Sequence, residues 1–166
     1  QVPVSTTKKL FEILKKGKAK AITIVNCFNH IAPLDDFMWA ITSVLRDDGA
    51  FVIESPHFLS LLQRMQFDTI YHEHVSYIAV KPLVAFMKKF GLTVMHVEEN
   101  EYLGGVIRVF VGRGEANDSV REIIAKEEAA RLFDEKTFVP YAKKVLACKL
   151  QLLKELVEAK QQGGKV

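Results

Sequence analysis

The chain is poor in the features that mark specialised protein classes. It holds two cysteines, Cys27 and Cys148, too few and too far apart for a disulfide framework or a metal-ligand spacing. A reducing, cytoplasmic setting fits, and a zinc site within this stretch is not expected. No apolar run approaches the about 18 residues that span a bilayer, and no basic-then-apolar leader opens the sequence. An excess of one charge is missing as well. The 23 Lys and Arg against 20 Asp and Glu leave a net +3, too small and too scattered to point to nucleic acid. Internal repeats, low-complexity linkers and a glycine-rich phosphate loop between a strand and a helix are also lacking. What remains is 166 residues, 49% hydrophobic and 26% charged, the composition of one globular unit of ordinary size.

The apolar pattern alternates short and long segments. Gln1-Val2-Pro3-Val4 reads as the tail of a strand or loop, cut rather than started. Ser5-Thr6-Thr7 caps a helix that Gly17 ends, and Lys15, Lys16, Lys18 and Lys20 read as its solvated end. Ala21 to Val25 is β-branched, apolar and too short for a helix, hence a buried strand. A helix opens at Asp35 or Asp36 and stops at Asp47-Asp48-Gly49. Ala50 to Ile53 is a second buried strand, ending at Glu54-Ser55-Pro56, and a helix with Leu59, Leu61, Leu62 and Met65 follows. Strand, helix, strand, helix at this spacing predicts an α/β fold with parallel strands and crossover helices. Val80 to Phe90 predicts another helix. Leu92–Val97 and Val106–Val111 predict an antiparallel hairpin at one edge, turning at Gly104-Gly105. Long helices over Asn117–Leu132 and Thr137–Lys160 close the chain. Only two clear parallel strands are present, so the sheet reads as the second half of a larger nucleotide-type domain.

Ligands of such sheets bind beyond the carboxyl ends of the strands. Here those ends are Asn26 to His30 and Glu54 to His57. The string Tyr71-His72-Glu73-His74-Val75-Ser76-Tyr77 follows the helix after the second strand and can fold back over that edge. It gathers the groups that move protons near neutral pH, because a histidine in water titrates at about pH 6.5 and tyrosine can donate to a developing oxyanion. Imidazole and carboxylate also ligate divalent ions, so a metal half-site or a plain polar loop is open on residue types alone. His30 and His57 stand at the two strand ends and can line one cleft. Arg108, after the hairpin turn, is the hairpin group able to meet a phosphate. His96 falls within a strand as a structural edge residue, and Trp39 reads as core or interface.

These strings resemble a known family. Val25 to Phe37, Asp48 to Pro56, Phe67 to Tyr77 and Tyr102 to Val109 are similar to motifs of the S-adenosylmethionine-dependent nucleotide-sugar C-methyltransferases. The Tyr-His-Glu-His string with its Phe-Asp-Thr-Ile lead is the most specific. The hairpin departs from the family: Leu103 and Val106 flank Gly104-Gly105 where many members carry His and Ser. The resemblance implies the second half of a Rossmann-like class I methyltransferase sheet over residues 1–115. Residues 116–166 would be the helical start of a C-terminal nucleotide-sugar domain, and the cofactor's glycine-rich turn would lie upstream.

It also implies S-adenosylmethionine as cofactor and a nucleotide-linked, dTDP-type keto-deoxysugar as substrate, methylated on a ring carbon next to the ketone. By motif position His74 is the base, and Glu73 orients and charge-balances it. Tyr71 or His30 stabilises the enolate oxygen, and Asn26 and Cys27 meet the methionine portion of the cofactor. His72, His57 and Arg108 are left for substrate. The piece alone is expected to be inactive. Two rival readings stand beside this one: a domain that only binds a nucleotide sugar, and a metal-dependent hydrolase built on His-Glu-His.

Overall fold

The computed structural model describes residues 17–165 and shows a mixed α/β unit. Strand β1 (Ala19–Val25) leads through a one-turn 3-10 helix (Phe28–His30) into α1 (Leu34–Val44). Strand β2 (Leu45–Pro56) follows, then α2 (Phe58–Gln63), a 3-10 turn (Phe67–Thr69) and α3 (Val80–Lys88). Strand β3 (Thr93–Asn100), a 3-10 turn (Tyr102–Gly104), β4 (Val106–Gly112), α4 (Asp118–Ala129) and α5 (Glu135–Gln161) complete the order. The helix expected from Ser5, with Lys15 and Lys16, falls outside the described residues.

The sheet runs β1-β2-β4-β3. β1 and β2 are parallel, with Ile24 opposite Ile53 and Val25 opposite Glu54. The two β-branched runs therefore pair as the sequence predicts, but the first is not buried: with no strand on its other side among the described residues, β1 leaves Ala21, Thr23 and Val25 exposed. β4 lies antiparallel between β2 and β3, so the hairpin joins the sheet through its second strand; among the described residues β3 with His96 is one edge and β1 the other.

The boundary between α1 and β2 differs from expectation. The helix ends at Val44, and Leu45, fully buried, already belongs to the strand. The register then jumps from Ala19 opposite Leu45 to Ala21 opposite Ala50. The polar Arg46–Gly49 stretch between these pairs is thereby set off from the regular ladder, with Arg46 and Asp48 paired at 2.7 Å. Gly49 permits this close approach, since a Cβ there would lie 3.0 Å from the carbonyl oxygens of both Ala19 and Lys20.

The core sits between the sheet and α1, α3 and α4. Met38, Phe51, Ile53, Val80, Met87, Ile107, Val109 and Val111 are fully buried in it. Val120 and Ile123 of α4 join the same cluster, so the first helix beyond residue 116 packs on this sheet. Trp39 is exposed, its ring meeting the edge of Phe90 at 5.2 Å. None of the described residues of α5 is buried, and Leu146, Leu150, Leu153, Leu156 and Val157 are exposed along it.

The Gly104-Gly105 turn does more than reverse the chain. Gly105 has φ +116, and a Cβ there would lie 2.6 Å from the Cβ and Oγ of Ser60. The hairpin thus leans directly on α2. Gly105→Ala should cost about 1–3 kcal/mol, because backbone strain and steric overlap both oppose it. Urea denaturation of this chain checks the value through the shift in midpoint.

Candidate active site

A cavity of about 550 Å³ opens beyond the carboxyl ends of β1 and β2. Asn26, Asn29 and His30 line it from the end of β1, and Pro56 from the end of β2. Gln66, Asp68, Thr69, Tyr71 and His74 come from the segment after α2, and Leu103 from the hairpin. Its size lies within the usual range for small-molecule sites, about 300–1,000 Å³.

The chain is bent sharply where it enters this cavity. Asn26 has φ +48 and Leu103 φ +49, both in the left-handed region. Asparagine tolerates that region, but leucine does not do so readily. Strained backbone of this kind concentrates where a site over-determines its own geometry.

The string Tyr71–Tyr77 is pinned over the sheet edge by backbone. The Asn29 carbonyl accepts from the N–H groups of Val75 at 3.0 Å and Ser76 at 3.2 Å. This brings His74 against His30, with ring centroids 4.7 Å apart and edge-to-face. The Tyr71 ring lies over His74 at 4.2 Å.

The imidazole of His74 is held at both nitrogens. Nδ1 lies 2.7 Å from the Thr69 carbonyl oxygen, and Nε2 lies 3.0 Å from the Tyr71 hydroxyl. A carbonyl can only accept, so Nδ1 carries the proton. In the neutral ring Nε2 is then a free base, accepting from the Tyr71 O–H. The arrangement delivers a basic nitrogen and a phenolic donor side by side in one cavity.

The expected site residues thus divide. Asn26, His30, Tyr71 and His74 line the cavity. Glu73 does not: it is exposed outside the lining, and the Thr69 carbonyl holds the ring that Glu73 was expected to orient. His72 is exposed beside Tyr71, and Cys27 is exposed outside the lining.

His57 departs furthest from expectation. It is 1% exposed, turned inward, and its Nε2 lies 2.9 Å from Oε1 of the buried Glu127. Arg108 is engaged in the sheet. It donates to Glu54 at 2.7 and 2.9 Å and to Glu98 at 3.2 Å, and the hydrogen bonds to Glu54, before any other cause, hold its guanidinium above its ordinary value. Its guanidinium is thus already paired with two carboxylates across the sheet. His96 bonds to Asn117 and Ser119 at the edge.

Three contributors escape a reading of the sequence alone. Thr69 acts through its backbone carbonyl, which leaves no side-chain signal. Asn29 is 4% exposed and pins the string by its carbonyl. Glu127 did leave a signal: it falls four residues after Ile123 and seven after Val120, so a carboxylate occupies the apolar face of α4.

The cavity also bears on the implied cofactor. The amide oxygens of Asn26 and Asn29 are buried without a partner among the described residues. An unpaired acceptor is costly unless a donor arrives, and the ammonium of an amino-acid-like ligand is such a donor. The strand-end amides of Asn26 and Asn29 therefore fit the ammonium of the methionine portion of S-adenosylmethionine, while Cys27 stands outside the cavity lining. For a metal, no group of three His, Cys, Asp or Glu among the described residues comes together.

The family profile of the methyltransferase domain matches residues 4–97. The chain belongs to that family. The profile of the C-methyltransferase C-terminal domain matches residues 101–166, so the two assignments meet just before the hairpin turn. The C-methyltransferase NovU of Streptomyces niveus is 32% identical over 127 residues, which is 75% of this chain. This chain spans only 30% of that relative's length. A solved O-methyltransferase family protein from Burkholderia thailandensis aligns with 65% of this chain and 34% of its own, at 12% identity and a TM-score of 0.41. No helix among the described residues is long and apolar enough to cross a membrane.

Proposed function

We propose that this chain carries the proton-abstracting half of the active site of an S-adenosylmethionine-dependent C-methyltransferase. Its substrate would be a nucleotide-linked, dTDP-type keto-deoxysugar, methylated on a ring carbon next to the ketone. The observation that supports this best is the His74 imidazole, with Nδ1–H bonded to Thr69 and Nε2 facing the Tyr71 hydroxyl in the cavity. Carbon methylation next to a ketone needs a base and an oxyanion donor, and these two groups supply both.

In this reading Nε2 takes the proton from the ring carbon, and the electron pair of that C–H bond moves to the ketone oxygen. The Tyr71 hydroxyl, released from Nε2, turns to donate to the enolate oxygen. His30, edge-to-face with His74, stands close enough to share that task. The protonated imidazole keeps its Nδ1–H on the Thr69 carbonyl throughout. Asn26 and Asn29 would hold the cofactor's amino-acid portion. S-adenosylmethionine, when bound, supplies an electrophilic methyl group to the nucleophilic carbon. Residues 116–166 would begin the nucleotide-sugar domain, with α4 docked on the methyltransferase sheet through Val120 and Ile123, and the glycine-rich cofactor turn would come from sequence upstream.

Deuterium wash-in tests the reading without requiring turnover. The full-length protein, given the dTDP-linked keto sugar in heavy water and no methyl donor, is expected to exchange the proton on the carbon next to the ketone. Nuclear magnetic resonance follows the loss of that signal. No exchange above the rate in buffer, under conditions where the sugar binds, would exclude enolate formation here and favour a domain that only binds the nucleotide sugar.

A further inference from the structure

The segment between β2 and α3 carries half of the cavity lining, namely Gln66, Asp68, Thr69, Tyr71 and His74. It is poorly anchored by packing. From Leu62 to Tyr77 not one side chain is fully buried. An excursion without buried apolar groups takes its position from its stems and from polar contacts.

One side chain joins both stems. Glu127 of α4 is fully buried, and its Oε1 lies 2.9 Å from Nε2 of His57, the residue where the chain leaves β2. The same oxygen accepts the Val80 N–H at 2.6 Å, and Oε2 accepts the Lys81 N–H at 3.0 Å. Val80 and Lys81 open α3, where the chain returns. Residue 79, which precedes the helix, is an alanine and offers no side-chain cap. The carboxylate therefore caps a helix N-terminus, where negative charge is favoured, and holds the far stem with the same group. The backbone adds a second tie, with Phe58 N–H donating to the Ile78 carbonyl at 2.9 Å.

We infer that Glu127 is a positioning residue: it clamps His57 to the start of α3 and so fixes the segment that carries Tyr71 and His74. It lies within the matched C-methyltransferase C-terminal domain, while both stems lie within the matched methyltransferase domain. The second assignment thus supplies a part that the first one needs. The catalytic consequence rests on the methyl-transfer reading above; the clamp itself does not.

Hydrogen exchange on this chain tests the clamp. In Glu127→Ala the amides of Val75 and Ser76, with their neighbours from 66 to 78, should exchange about tenfold faster or more, since local opening governs their protection. Amides of Phe51 to Ile53 and of Ile107 to Val111 should change less than about twofold. Glu127→Gln keeps the volume but cannot accept from three N–H donors, and should show the same pattern more weakly. His57→Gln, whose amide can still donate to the carboxylate, should restore protection that His57→Ala loses.

Equal acceleration everywhere would make Glu127 an ordinary core residue and overturn the proposal. Unchanged exchange at 66–78 in both Glu127 variants would overturn it too. In the full-length protein kcat should fall with little change in KM for the methyl donor, and an unchanged kcat in a loosened variant would remove the positioning role. If wild-type protein transfers no methyl group, the functional reading fails, while the exchange pattern still supports the clamp.

Discussion

In the full-length protein, His74→Asn should lower methyl transfer by about 10²–10⁴-fold, the usual contribution of one general base. Binding of S-adenosylmethionine should persist, because in the proposed mechanism His74 would act on the sugar carbon while the strand-end asparagines would face the cofactor. The reason for expecting so large an effect is the arrangement at the ring. With Nδ1–H committed to the Thr69 carbonyl, Nε2 is the nitrogen left to take a proton, and it points at the Tyr71 hydroxyl. An asparagine amide can copy the hydrogen bond to Thr69 but has no comparably basic lone pair. Steady-state turnover beside calorimetric cofactor binding separates the two effects. Turnover near wild type would pass the base role to Tyr71 or His30.

Phe51→Ala should destabilise the chain by about 3–5 kcal/mol, a large part of the about 5–15 kcal/mol that holds a typical domain together. Phe51 is fully buried in β2, opposite Ile22 of β1 and Val111 of β4. Its ring packs on Phe28 at 6.4 Å and Phe37 at 6.2 Å. Truncation opens a cavity at the centre of the sheet and removes the support under Phe28. That residue begins the turn that presents Asn29 and His30, so the damage should reach the site. Urea unfolding of the variant measures the first effect, with a loss below about 1 kcal/mol counting against the packing argument. Broadened His30 ring resonances under native conditions would report the second.

The strands were legible because burial demands a local signature. Ala21 to Val25 and Ala50 to Ile53 are short, β-branched and apolar, which favours a strand over a helix. The depth of each was not legible, since β2 runs through the core while β1 stands at an edge among the described residues, with Ala21, Thr23 and Val25 exposed. The crossover helices, the hairpin and α4 were legible for the same reason, and the side chain of Asn117 caps α4 by accepting from the Ser119 N–H. α5 was legible from its helical apolar spacing alone, since none of its described residues is buried. Helix ends were less secure. The last helix starts at Glu135, two residues before Thr137, because Asp134 caps it through the Lys136 N–H. The end of α1 was misplaced because Leu45 packs into the sheet before the acidic turn arrives, a tertiary preference that no local stop signal reveals.

The candidate site divides along the same line. The sequence by itself determined which residue types were available at the strand ends and in the Tyr71–Tyr77 string, and that both lie at one edge of an α/β sheet. Side-chain chemistry is written in the residue names, and the edge follows from strand order. Only the tertiary structure decided which of those groups meet. It turned His57 inward onto Glu127 and tied Arg108 to Glu54 and Glu98. It left Glu73 in solvent and gave the Thr69 carbonyl the task of holding His74. The physical reason is that a side chain's direction is set by the element beneath it and by what packs against that element. Backbone carbonyls, which every residue carries alike, become specific only once the chain is folded around them.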